Sequence, residues 1–433
     1  MTKIVSLVAK DVRFPTSVEL HGSDAMNPNP DYSAAVCVLK TDVDGLDGHG
    51  LTFTIGRGTE IVTRAIEALA PFVVGVTLEE IQADMSGFYR RVTGDSQLRW
   101  LGPEKGVVHL AAAAVINAAW DLWGRAAGKP VWRLVSEMSP DEIVGAIDFR
   151  HITDALDPGE AREMLEERRQ GRAERRACVE ASGVRAYSTS AGWLGYGDEQ
   201  VRKLCREAVA AGWDALKFKV GKDTDHDLFR CNIAREELGP ERRLMIDANQ
   251  VWEVDEAITR MERLAAIDPW WIEEPLSPDD VLGHARVARA VRPIRVATGE
   301  HCQNRVMFKQ FLQADALDVV QVDACRLGGL NENLAVMLMA AKYGKVVCPH
   351  AGGVGLCQYV QHLGAIDQIA IGGERDDRMV EFAGHLHEHF VAPLDVRGGR
   401  YYPSEAPGFS VAFKEASVAT YSYPDGAYWR ERA

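Results

Sequence analysis

The chain has 433 residues, 46% hydrophobic and 26% charged, enough for about two or three domains with substantial cores. A formal net charge of −14 without a long basic run argues against nucleic acid and anionic membranes as partners. It leaves an anionic small molecule open, because a local metal outweighs global charge. None of the eight cysteines forms a C-x-x-C pair, so free thiols in a reducing compartment are expected. No transmembrane run is read and the N-terminus has no long apolar segment, so a cytosolic location is expected.

Lys3 to Val12 reads as a strand, followed by a breaker-rich loop through His21-Gly22-Ser23-Asp24 and Asn27-Pro28-Asn29-Pro30. Ala34 to Lys40 and Gly50 to Ile55 read as two more strands, giving an antiparallel meander. From Glu60 to Arg133 the pattern is helical. Its best segment, Val107 to Ala127, stops at Gly128-Lys129-Pro130. Residues 1–135 are therefore expected to form an α+β capping domain, and 136–183 a charged helical connection with a solvated face.

From Val184 strands and helices alternate. Candidate strands begin at Val184, Ala215, Leu244, Trp271, Arg295, Asp318, Lys345 and Met379, with short loops and helical patterns between them. This is a parallel α/β fold. Seven or eight units with functional groups at most strand ends favour a barrel over an open sheet. The eighth unit is weak, because no clear helix follows Glu381. The expected architecture is a modified TIM barrel of (βα)7β type over 184–385. Residues 386–433 are expected to pack back on the cap.

Three apolar runs end in acids at Asp247, Glu273 and Glu300, steps of 26 and 27 residues, about one βα unit each. Parallel strands bring their C-terminal ends to one face, so the three carboxylates should converge. Helix N-caps are the plain alternative for any one acid. Three in matched register point to a hard divalent cation such as magnesium, because gathered carboxylates repel. Lys217 and Lys219 share one strand face. Mutual repulsion and burial should lower at least one pKa and make a general base. Asp323 and His350 end adjacent strands, where the acid would fix the imidazole tautomer and raise its pKa. His385-x-His387-x-His389 is not read as a metal site, because no acids match it at nearby strand ends.

With these residues in place, the sequence resembles the enolase superfamily. Lys217-x-Lys219, Asp247-x-Asn249, Glu273-Glu274-Pro275, Gly299-Glu300 and the Asp323/His350 pair match its mandelate racemase-like branch. Four more stretches resemble the L-fuconate dehydratase group of that branch: His21 to Pro28, Gly94 to Gly106, Gly192 to Tyr196 and His350 to Gly355. The resemblance implies that Asp247, Glu273 and Glu300 bind Mg2+, and that Lys219 and His350 are the acid/base pair with Asp323 and Lys217 assisting. It further implies that Asn249 and Glu381 contact substrate, and that Gly22 and Asp24 close over it. The implied reaction is loss of water from an acid sugar, through C2 proton abstraction and departure of the 3-hydroxyl. A racemase or epimerase shares the first half of that chemistry, and a non-catalytic metal-binding scaffold is the remote rival. The expected partner is a small acid sugar, and the expected assembly a homo-oligomer.

Overall fold

The computed structural model describes residues 1–432. Ala433, the last residue of the predicted C-terminal segment, lies outside the described residues. Strands β1 (Ile4–Arg13), β2 (Ser33–Thr41) and β3 (Gly48–Thr54) form the antiparallel meander, in the order β1-β2-β3. The helix Gly106–Ala126 packs against it. Gly48 and Gly50 lie two apart on β3 and so share a face. A Cβ on Gly50 would stand 2.0 Å from the Ala114 carbonyl oxygen, and one on Gly48 2.3 Å from that of Ala118. Bare backbone on the strand and alanines four apart on the helix permit this close approach. By length and composition this helix is apolar enough to cross a membrane. Here it is largely buried between the meander and the barrel, where an apolar surface on nearly every side is required.

The barrel strands are β4 (Val184–Ser188), β5 (Ala215–Lys219), β6 (Arg243–Asp247), β7 (Trp271–Glu273), β8 (Arg295–Thr298), β9 (Val319–Val320), β10 (Val346–Val347) and β11 (Val380–Phe382). All pair in parallel in that order, and β11 returns to β4 with Glu381 beside Tyr187. The Glu381 amide donates to the Pro349 carbonyl at 3.1 Å, which joins the β10 and β11 segments and closes the ring. One helix follows each of β4 to β10 and a short 3-10 turn follows β11, giving the (βα)7β barrel. Leu216 and Phe218 face the helices, while Tyr187, Ala215, Met245, Trp271, Ala297, Val319, Val346 and Met379 fill the lower interior as a separate apolar plug. The plug makes the barrel a packed core with polar groups only toward the C-terminal mouth.

The tail divides between barrel and cap. Strands β12 (Asp395–Arg397) and β13 (Arg400–Tyr402) form a hairpin that adds antiparallel to β4, with Tyr401 opposite Val184 and fully buried. Open backbone donors and acceptors at that edge recruit it. On either side of the hairpin the tail reaches the cap: the His389 ring lies 4.4 Å from that of Phe14, Phe409 N donates to Asp121, Tyr423 N to the Asp11 carbonyl and Trp429 Nε1 to that of Arg13. All eight cysteines are free, and seven of them are buried.

Gly50→Ala forces the helix Gly106–Ala126 off the meander. The expected cost is about 2 kcal/mol or more, read as a lower urea midpoint at unchanged slope. A midpoint equal to that of the parent protein would refute the close-approach account.

Candidate active site

The inward positions of successive strands build the site. On β5, Ala215 joins the plug, and the alternation then turns Lys217 and Lys219 inward, one above the other. Register sets Lys219 beside Asp247, and Asp247 beside Glu273. Glu300 follows β8, Asp323 and His350 follow β9 and β10, and Glu381 lies on β11. Each of Asp247, Glu273 and Glu300 offers an oxygen within 4.8 Å of the others.

Lys217 lies beneath the site, with Nζ paired to Glu273, 2.9 Å from Glu381 and 3.5 Å from Asp247. Lys219 Nζ donates to Asp247 Oδ2 at 2.5 Å and stands 5.8 Å from the Trp193 ring centroid. The expected lowering of a lysine pKa is corrected. Burial disfavours the charge on both amines, but the surrounding carboxylates outweigh it and hold both pKa values above the ordinary lysine range. Burial pushes the Glu273 and Glu300 carboxyls up, reinforced by their like-charged neighbours. Burial opposes ionisation of Asp247 as well, yet the two lysines hold it below the usual range.

A cavity of about 340 Å³ opens above this layer between barrel and cap. Among the predicted site residues its wall takes Gly22, Asp24, Lys219, Asn249, Glu300, Asp323 and His350. Asp247, Glu273, Lys217 and Glu381 lie just outside that lining, each at most 1% exposed. Glu381, expected to contact the sugar, stands behind the cavity wall, 3.8 Å from His350 Nε2. Its carboxylate is committed to Lys217 and accepts the Ala351 amide at 2.8 Å. The His350–Asp323 contact is 2.8 Å at Nδ1, and Asp323 Oδ1 accepts the amides of Cys325 and Arg326. Burial opposes the imidazolium, but Glu300, Asp323 and Glu381 raise its pKa to about 10. Nε2 lies 3.4 Å from Glu300 Oε2, on the cavity side.

Gly22 (φ +79°) sits against the Tyr32 ring, where a Cβ would come within 2.4 Å. Asp24 Oδ1 accepts the amides of Met26 and Asn27, so it shapes its own loop as well as lining the cavity. Burial raises its carboxyl pKa against the pull of Lys219. The loop is pinned to the barrel where Ser23 accepts the amides of Leu194 and Gly195, and where the Tyr196 hydroxyl meets His21 Nδ1 at 2.5 Å. The three histidines 385, 387 and 389 do not converge. His387 contacts the Ala383 carbonyl and His389 the Ser417 hydroxyl, while His385 stacks near His21 and Tyr32.

Sequence reasoning missed a second cluster. Glu274 Oε1 lies 2.9 Å from His301 Nδ1, and Gln250 Nε2 donates to Glu274 Oε2 at 3.0 Å. Strand alternation would send Glu274 away from Glu273, but left-handed backbone (φ +41°) redirects it. Asn249 and Gln250 are left-handed too, so non-glycine strain gathers at the ends of β6 and β7.

The donor set fits a magnesium ion. All three converging groups are carboxylates, suited to a hard cation. Glu300 Oε2 and Asn249 Oδ1 are buried without hydrogen-bond partners. In their present arrangement the lysine ammonium groups supply the positive charge that a cation would bring.

Comparison with known proteins agrees with this architecture. Residues 25–136 match the mandelate racemase / muconate lactonizing enzyme N-terminal domain, and residues 200–417 match the enolase C-terminal domain-like family. The chain belongs to the enolase superfamily, in its mandelate racemase/muconate lactonizing branch. It is 51% identical over 433 residues to an L-galactonate dehydratase of Hypocrea jecorina, covering 98% of this chain and 96% of that protein. The crystal structure of human mitochondrial enolase superfamily member 1 superposes with a TM-score of 0.98 at 52% identity, over 99% of this chain and 98% of that one. An L-talarate/galactarate dehydratase from Salmonella typhimurium, liganded with Mg and L-lyxarohydroxamate, shares the fold at a TM-score of 0.76 and 23% identity, over 97% and 93% of the two chains.

In the metal-free protein the His350 ring is expected to stay protonated through neutral pH. Its raised pKa stabilises the fold fully below about 6.5, the unfolded value, and the gain is lost as pH rises through 10. Asp323→Asn should lower that midpoint by about one unit or more, followed by ¹⁵N shifts of labelled histidine. An unmoved midpoint would show that Asp323 does not set the charge.

Proposed function

We propose that this chain is a magnesium-dependent sugar-acid dehydratase. In this reading it converts L-fuconate to 2-keto-3-deoxy-L-fuconate and water. It takes L-galactonate, which differs from L-fuconate only by a hydroxyl on C6, by the same route. The observation that carries the reading is the placement of Lys219 on β5 and His350 after β10, both lining one cavity above an oxygen cluster. End-to-end similarity to an L-galactonate dehydratase supports the choice of acid sugars.

Asp247, Glu273 and Glu300 would hold the magnesium ion, whose positive charge would acidify the C2 hydrogen of a bound 2-hydroxy acid. With Asp247 and Glu300 engaged in that way, the carboxylate field that now raises the Lys219 pKa would be weakened. Burial and the neighbouring Lys217 then favour the neutral amine. Lys219 takes the C2 proton and leaves an enediolate. His350, charged through its contacts with Asp323 and Glu300, gives its proton to the 3-hydroxyl as the C3–O bond breaks. Water departs, and the resulting enol takes a proton at C3 to become the 2-keto-3-deoxy acid. Trp193 and the pinned loop around Ser23 cover Lys219 and limit water access. The same pair of proton carriers would suit a racemase acting at C2, and the product separates the readings, because only dehydration forms a 2-keto acid.

Incubation of L-fuconate or L-galactonate with protein and magnesium is expected to form 2-keto acid. Chelation should stop it, and added magnesium should restore it. Glu273→Gln should weaken magnesium binding by at least about tenfold in calorimetry, independent of any turnover. Undiminished turnover in metal-free protein would overturn the metal assignment.

The two half-reactions are separable in D2O. Lys219→Met is expected neither to eliminate water nor to exchange the C2 hydrogen of L-fuconate. His350→Asn should lose elimination by at least about a hundredfold yet retain C2 exchange, because Lys219 remains. Proton NMR of recovered substrate reads the outcome. Exchange that survives in Lys219→Met and vanishes in His350→Asn would reverse the roles.

A further inference from the structure

The cavity wall contains a half-buried guanidinium that these steps leave unused. Arg326 stands three residues past Asp323, in the turn before the helix Leu330–Lys342. Its backbone is fixed by the amide bond to Asp323 Oδ1 at 2.6 Å, and Nε donates to the Glu300 carbonyl at 3.3 Å. Among the described residues its other four N–H donors have no hydrogen-bond partner, and no carboxylate pairs with it. The remaining cations of the wall differ. Lys219 faces Asp247, His301 faces Glu274 and His350 faces Asp323, while the unpaired Arg57 is exposed at the rim. A guanidinium stays charged and only donates, so its complement here is an acceptor that the ligand brings.

The turn also fixes the height of Arg326 in the cavity. Asn117 of the cap donates to the Ala324 carbonyl and accepts the Leu330 amide, and Cys325 Sγ lies 3.4 Å from the Leu51 carbonyl. Arg326 therefore stands where barrel meets cap, beside Glu300 on the cavity wall. The acid end of a substrate is drawn to the carboxylate cluster, and C2 and C3 must lie between Lys219 and His350. The rest of the carbon chain then rises toward the cap.

We propose that Arg326 is a specificity-determining residue whose guanidinium hydrogen-bonds an oxygen on the terminal carbon of the sugar acid. This rests on the dehydratase reading. L-Galactonate carries that oxygen, whereas L-fuconate ends in a methyl group and leaves the donors unmet. The two substrates share every group near the reacting bond, so the ratio of their kcat/KM values isolates the contact.

Arg326→Met is expected to lower kcat/KM for L-galactonate about tenfold to a hundredfold more than for L-fuconate, the range for a charged hydrogen bond. Most of that change should appear in KM. Arg326→Lys should give an intermediate ratio, and it serves as the working variant if the methionine protein does not fold. Magnesium affinity by calorimetry is measured alongside. An unchanged ratio in a folded variant, whether both activities fall together or neither falls, overturns the assignment and leaves the dehydratase reading standing. Parent protein that forms no 2-keto acid from either sugar overturns both.

Discussion

Lys217 is the charge around which the barrel mouth is arranged. Its side chain is fully buried and faces Glu273, Glu381 and Asp247 from the layer just above the apolar plug. Four carboxylates at a dry strand-end surface would repel one another and drive their own protonation. One fixed ammonium beneath them and a second, Lys219, beside Asp247 hold the group together. Such buried pairs contribute little net stability, because desolvation offsets the attraction, but they define geometry. Removing Lys217 would leave three acids without their counter-ion, so it positions the cluster without touching the cavity. Glu381 belongs to the same arrangement and steers the Ala351 amide just after His350.

The cap completes the site through a second buried network. Arg305 pairs with Glu332 and reaches Asp148 and Glu104, while His109 of the long cap helix meets Glu332 at 2.9 Å. Trp120 donates to Asn331, and Asn117 holds both ends of the 324–330 turn. The turn that carries Asp323 and Arg326 is thus fixed as much by the cap helix as by the barrel. A helix that looks on composition alone like a membrane span orders a cavity-lining turn from one face and receives the meander on another.

Much of the barrel and its acids was legible because both obey simple periods. Alternation within β5 fixes where Lys217 and Lys219 point, and the spacing of Asp247, Glu273 and Glu300 reports the βα repeat. What escaped the sequence depends on neighbours or on exceptions to period. The lysine pKa values went opposite to expectation because Glu273 and Glu381 beside Lys217, and Asp247 beside Lys219, outweigh repulsion and burial. Glu274 joined the site through left-handed backbone that no alternation rule anticipates. The hairpin β12–β13 pairs with a strand more than 200 residues earlier in the chain, and such pairing leaves no local signature.

These two kinds of residue divide the function between them. The groups to which the proposed reaction assigns proton transfer and metal binding lie at strand ends, where period and register dictate their position. The rest of the cavity wall comes from the cap loop around Asp24, the Trp193 loop and the turn at Arg326, three segments that meet only through tertiary contacts. Loops tolerate change that strand ends do not. A relative can therefore keep every strand-end group and differ at the seam between cap and barrel, where the proposed dehydratase would meet the part of its substrate beyond C3.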